Sequence, residues 1–137
     1  METAAELERA VDTLRRAYAA FNAGDMRAAV ASLDPEVEWT EPAEFPGGGT
    51  YRGPAAVEGY LTRSRASWRE GRSEPEQFIC AGDSVVVFVR ARFLPAEASE
   101  WEEVRLADVF TFRGSKVVRM QAYADRDAAL RAVGLGR

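Results

Sequence analysis

An α+β domain is the fold class this sequence predicts: a cone-shaped, curved antiparallel sheet wrapped around a long N-terminal helix and enclosing a pocket. Three observations predict it. Leu7, Val11, Leu14, Tyr18 and Phe21 recur at helical spacing and lay one apolar stripe along residues 3–22. The second half of the chain carries long stretches in which apolar residues alternate with a period of two. Helical segments come first and long strands later, an order that segregates helices to one face of a sheet. Two further helices and a short C-terminal helix complete the expectation, and residues 1–137 form a single domain.

Each element has a local reason. Gly24 suits the left-handed position that ends the first helix, and Asp25 can cap the next. Met26, Ala29, Val30 and Leu33 form the buried side of that second helix, which Asp34-Pro35 ends. Val37 to Glu41 reads as a short strand with Val37, Trp39 and Glu41 on one side. Ala43 to Thr50, with three successive glycines, reads as a mobile rim and lacks the strand and lysine of a phosphate-binding loop. Gly53-Pro54 opens a third helix whose inner side is Val57, Tyr60, Leu61 and Trp68, ending near Gly71. Glu76 to Ala81 is a strand, joined by a Gly82-Asp83 turn to the long strand Ser84–Leu94. Trp101 to Ala124 forms two strands around an Arg113-Gly114-Ser115 turn, and Asp125 caps a last helix over 126–133.

Composition removes several function classes. The net charge is −4 and the 18 Lys and Arg residues are scattered, which argues against a nucleic-acid surface. No apolar run approaches the roughly 20 residues of a membrane span. The N-terminal stretch is charged and lacks the apolar core of a signal peptide, so a cytoplasmic location is expected. The lone cysteine, Cys80, leaves no internal disulfide and reads as a small buried packing residue. The chain has no histidine, so no Ser-His-Asp triad, imidazole base or histidine-held zinc is available. Proton chemistry near neutral pH then falls to carboxylates raised from about 4 by burial. No cofactor or metal is implied.

One carboxylate stands out. Val104, Leu106, Phe110 and Phe112 share a strand face, and Asp108 falls in the middle of it. Val118, Met120, Ala122 and Ala124 form the apolar row on the returning strand. An acid stranded on an apolar face is disfavoured in its charged form if that face meets a cavity. The opposite sheet face carries Arg90, Arg92, Arg105 and Arg119, a solvated or subunit-pairing surface, with Trp101 beside it.

The order of these marks, Asn22-Ala23-Gly24-Asp25, Glu41-Pro42, Tyr51-Arg52-Gly53, Ala107 to Phe112 and Tyr123 to Arg126, resembles the nuclear transport factor 2-like superfamily. Within it the likeness is to SnoaL-like and ketosteroid-isomerase-like members. By that resemblance, Glu41-Pro42 takes the place of the isomerases' general-base Asp-Pro pair, and Asp108 that of a protonated oxyanion-hole aspartate. The catalytic pair implied is therefore Glu41 and Asp108, one accepting a proton and the other, kept neutral, donating a hydrogen bond to an enolate. Tyr18, Trp39, Tyr60, Phe110, Met120 and Ala122 are the expected substrate contacts. The isomerases' first-helix tyrosine corresponds to Ala17, and Tyr18 is turned about 100° from it around the helix. Leu106 stands where limonene-type epoxide hydrolases carry an arginine, which breaks their triad.

The resemblance implies a cofactor-independent isomerase or cyclase acting on a small apolar carbonyl compound, with two copies paired through the sheet. The alternative is a non-catalytic ligand-binding or dimerisation module, since this fold hosts many activities. An open cavity lined by both carboxyls favours the enzyme. A pocket plugged by Phe110, Met120 and Tyr18 favours the module.

Overall fold

A computed structural model describes residues 3–136; Met1, Glu2 and Arg137 lie outside the described residues. Helix α1 covers Ala4–Asn22, with the Thr3 side chain accepting from the Glu6 backbone N–H at 3.1 Å as its N-cap. Gly24 adopts φ +81° and Asp25 caps α2, Met26–Ala29, as the sequence leads one to expect. Strands β1 (Leu33–Glu41) and β2 (Gly49–Arg52) precede helix α3 (Pro54–Ala66). Strands β3 (Trp68–Ala81), β4 (Ser84–Pro95), β5 (Glu102–Arg113) and β6 (Lys116–Tyr123) follow, and α4 (Arg126–Ala132) closes the chain.

The six strands form one curved, unclosed sheet in the order β2-β1-β6-β5-β4-β3. It is mixed: β1 runs parallel to β6, while the other neighbouring pairs are antiparallel. The helix over Met26–Leu33 is shorter than the sequence suggests, because Leu33 already pairs with Val117 in the sheet. Pro35 therefore does not stop a helix. It sits within β1, where a register shift between Leu33 and Glu38 accommodates a residue without an N–H.

The largest departure concerns Trp68. Helical spacing puts it on the inner side of α3, yet it opens β3 and pairs with Pro95. Its ring stacks on Phe93 at 4.9 Å and meets Phe21 edge-on at 5.7 Å. Gly71 is likewise a strand residue rather than a helix end: a Cβ there would come within 2.6 Å of the Phe93 Cβ. The length of β4 explains both, since its backbone groups need a partner along their whole run.

The hydrophobic core lies between the sheet's concave face and α1 and α3, and contains Leu14, Val37, Val57, Val85, Val87, Phe110 and Met120. On β6 the inward row is Val117, Met120 and Ala122; Val118 is only half-buried and Ala124 is exposed. A register shift between Thr111 and Phe112 in the β5–β6 pairing displaces the alternation by one residue near the turn. The opposite sheet face is partly covered by α4, where Ala129 and Leu130 pack on Val86, Ala107 and Val109. Cys80 is exposed and not a core residue, because its β3 strand is an edge of the sheet.

Candidate active site

A cavity of about 500 Å³ lies between the concave face and the helices, and both Glu41 and Asp108 line it. Register explains how residues so distant in sequence meet. Asp108 pairs with Ala122, and Thr40 pairs with Gln121, so Glu41 falls beside Ala122 from the other side. The two acids therefore share one cross-sheet row with a single small residue between them. Two strand spacings separate their backbones, about 10 Å, and both side chains project to the same face.

Asp108 is part of a short hydrogen bond. The Tyr18 hydroxyl donates to its Oδ2 at 2.6 Å, within the range for a hydroxyl bonded to a charged oxygen. Tyr18 thus reaches the acid despite its turn of about 100° from position 17 around the helix. Leu14, Ala17, Tyr18 and Phe21 all line the cavity, at the i, i+3, i+4, i+7 spacing of one helix face. The inward direction of α1 thus runs between positions 17 and 18, and the longer side chain reaches the acid.

Glu41 accepts a hydrogen bond from the Trp39 indole Nε1 at 2.7 Å. Residues two apart on a strand share a face, so Trp39 is a donor as well as a wall. Tyr60 of α3 lies against Glu41 from the helix side and favours its charged form. Tyr51 packs on Tyr60 at 4.8 Å between ring centroids, and its hydroxyl donates to the Gly47 carbonyl at 2.6 Å. Phe45, Pro46 and Gly47 form part of the pocket wall on that side.

Burial dominates the electrostatics. It pushes Glu41 up to about 8, helped by the nearby charge of Asp108 and opposed by Trp39 and Tyr60. Asp108 is pushed up to about 6, again by burial, against the Tyr18 hydrogen bond. The Tyr18 phenol is raised well above its usual range by burial and by the Asp108 charge, so it stays a donor. Asp108 keeps some accessible surface, and that surface faces the cavity, since the strand face it occupies is the concave one.

Of the expected contacts, Tyr18, Trp39, Tyr60 and Phe110 line the cavity with both acids. Met120 and Ala122 do not. Met120 is fully buried behind Trp39 and Phe110 in the core, and Ala122 is 3 % exposed beneath the acids. Ala122 acts as the spacer between them. Phe110 meets Tyr18 and Trp39 edge-on, at 6.2 and 6.0 Å, and the cavity is open rather than plugged by these rings. Sequence reasoning missed Arg63, Ser64 and Ser67, although Tyr60, Ser64 and Ser67 follow the helical spacing that would have marked them.

The model of the SnoaL-like domain family matches residues 14–120. The chain belongs to the SnoaL-like family. No curated protein matches it in sequence. Solved structures are similar over most of its length. A nuclear transport factor 2-like protein of unknown function from Burkholderia pseudomallei is 25% identical, with TM-score 0.77 over 92% of this chain and 98% of that one. TerC, crystallised with polyporic acid, is also 25% identical, with TM-score 0.75 over 91% and 97%. SalBIII, an epoxide hydrolase/cyclase-like enzyme of pyran-ring formation in salinomycin, is 20% identical, with TM-score 0.73 over 86% and 92%, a likeness of fold. This SnoaL-like domain thus has the nuclear transport factor 2-like, ketosteroid-isomerase-like fold. Among its described residues no helix is long and apolar enough to cross a membrane, and no group of three or more acidic, histidine or cysteine side chains could hold a metal ion.

Proposed function

We propose that this SnoaL-like domain is a cofactor-independent acid–base enzyme of the isomerase or cyclase type, moving a proton on a small, largely apolar carbonyl compound. The observation that carries the reading is the pair of raised carboxyls in one open cavity, each with one oxygen engaged by a neutral donor. Two nearby acids in a dry site do not ionise together, so the pair carries one proton near neutral pH. Asp108, held by the Tyr18 hydroxyl, is the ionised member. Its Oδ2 accepts from Tyr18, and among the described residues no donor bonds Oδ1. Oδ1 takes a proton from the carbon next to the substrate carbonyl. Glu41, protonated, donates a hydrogen bond to the developing enolate oxygen. Return of the proton from Asp108 to a second carbon completes an isomerisation with no net consumption of atoms or electrons. These roles are the reverse of those the family resemblance implies, because Glu41 is the more strongly raised of the two.

Hydrogen–deuterium exchange at the α-carbon of 2-tetralone, followed by NMR, tests the assignment without the native substrate. Exchange is expected to rise with pH through about 6 and fall through about 8, the values of the pair. Asp108→Asn is expected to lower it by about 10²–10⁴-fold, the worth of a positioned base, while Glu41→Gln keeps a neutral donor, retains much of the rate and loses the alkaline limb. The opposite ranking of the two variants reverses the roles, and no exchange above background in the wild type removes the enzyme reading. Pairing of two copies is expected through the outer sheet face, where Trp101 lies by Arg92 and is 51% exposed; analytical ultracentrifugation reads it directly.

A further inference from the structure

The cavity is electrically lopsided. Glu41 and Asp108 are its acidic residues, and Arg63 is the basic residue among the described ones that line it. Pro46, Gly47, Arg63 and Ser67 line the cavity and are also exposed, so they mark its mouth. Along α3, Tyr60, Ser64 and Ser67 share one face. The helix thus presents a phenol to Glu41 and, one turn along, an exposed guanidinium at the rim.

Arg63 is not engaged elsewhere among the described residues. Among the described residues it has no ion-pair or side-chain hydrogen-bond partner. It is not among the charges acting on Glu41, Asp108 or Tyr60, so it does not neutralise the acids. Its Nη1 folds back over Gly59, where an added Cβ would lie 3.2 Å away. A glycine in a helix interior costs about 0.5–1 kcal/mol relative to alanine; here it leaves room for the guanidinium at the rim. The Ser67 hydroxyl donates its one proton to the Ser64 carbonyl at 2.6 Å, so the guanidinium is the charged donor left to meet a ligand at the rim.

A negatively charged ligand entering this cavity is repelled by the shared negative charge inside and attracted by the guanidinium outside. Guanidinium groups favour oxyanions through paired N–H donors. Resting on the reading of the cavity as a substrate pocket, we propose that Arg63 anchors a carboxylate or similar oxyanion at the outer end of the substrate. The substrate class is then an amphiphilic carbonyl compound, bound with its reactive carbonyl inward and its anionic group at the mouth. The charge pattern fixes orientation as well as identity, since the reversed pose sets anion against anion.

Two fluorescent probes with one aromatic skeleton test this: 8-anilinonaphthalene-1-sulfonate, which is anionic, and N-phenyl-1-naphthylamine, which lacks the sulfonate. The wild type is expected to bind both. Arg63→Gln is expected to weaken the anionic probe by about threefold to tenfold, as for a partly exposed charged hydrogen bond, and to leave the neutral probe within twofold. Arg63→Lys should recover part of the loss, and Arg16→Gln, an equal charge change on an exposed α1 residue, should not reproduce it. Equal weakening of both probes, or of neither, overturns the role of Arg63 while the pocket stands. Failure of the wild type to bind either probe overturns the pocket reading and this proposal together.

Discussion

The two faces of the same sheet treat carboxylates in opposite ways. On the outer face, Glu76 accepts a hydrogen bond from Arg126 at 2.6 Å, which holds it below the usual carboxylate range. Glu103 lies between Arg92 at 3.6 Å and Arg105 at 3.4 Å. On the inner face, the donors that Glu41 and Asp108 meet among the described residues are neutral, from tryptophan and tyrosine, and both acids are raised. Strand alternation alone separates Glu103 and Asp108, members of one strand, into these two regimes. Cations with water nearby stabilise a carboxylate as an ordinary anion. A dry wall with neutral donors leaves it able to change protonation state near neutral pH, which acid–base chemistry requires.

The contrast breaks most sharply at Arg126. Its guanidinium donates to the carbonyls of Val89 and Leu106 at 3.0 and 3.2 Å and lies over the Phe88 ring at 4.7 Å. Arg126→Gln is expected to lower unfolding stability by about 2 kcal/mol, for its two partly water-open hydrogen bonds to backbone carbonyls, the exposed pair with Glu76 adding little, while leaving the pH profile of exchange unmoved. Chemical denaturation and the exchange assay check the two halves separately.

Glu41 is expected to act in the opposite sense. Its folded value of about 8 exceeds its ordinary 4.5, so its contribution is complete below 4.5 and is lost as pH rises through 8. Glu41→Gln should therefore melt several degrees higher than the wild type at pH 9 and equally at pH 4. An equal shift at both pH values would mean that a packing change, not the buried charge, is responsible.

A smaller effect isolates the donor. Tyr18 lowers Asp108, so Tyr18→Phe should move the acidic limb of the exchange profile to higher pH and reduce the rate below pH 6. An unmoved limb would show that the hydrogen bond does not govern Asp108. The smallest change is expected outside: Glu103→Gln, between exposed partners, should alter stability by less than about 0.5 kcal/mol, as thermal melts at two salt concentrations would show.

Much of this was readable in the chain. The inward acid Asp108 follows from period-two alternation, and Glu41 beside Trp39 from the same rule on β1. The caps at Asp25 and Asp125 are local chemistry and appear where expected. Trp68 is not legible as a strand residue because Val57, Tyr60, Leu61 and Trp68 fit a helix, while the demand of β4 for a pairing partner is invisible in that window. Val118 was exchanged for Val117 because a bulge has no signature in a run of alternating residues.

By itself the sequence determined which faces are apolar, where the helices start, and that proton handling near neutral pH falls to groups other than histidine, buried carboxylates first. Those are consequences of residue type and short-range spacing. The tertiary structure alone decided that Glu41 and Asp108 share one row across Ala122, that the Tyr18 hydroxyl rather than a residue at position 17 reaches the acid, and that Arg63 stands at the mouth. Each depends on strand register and helix placement, which packing sets over long sequence distances and no local pattern encodes.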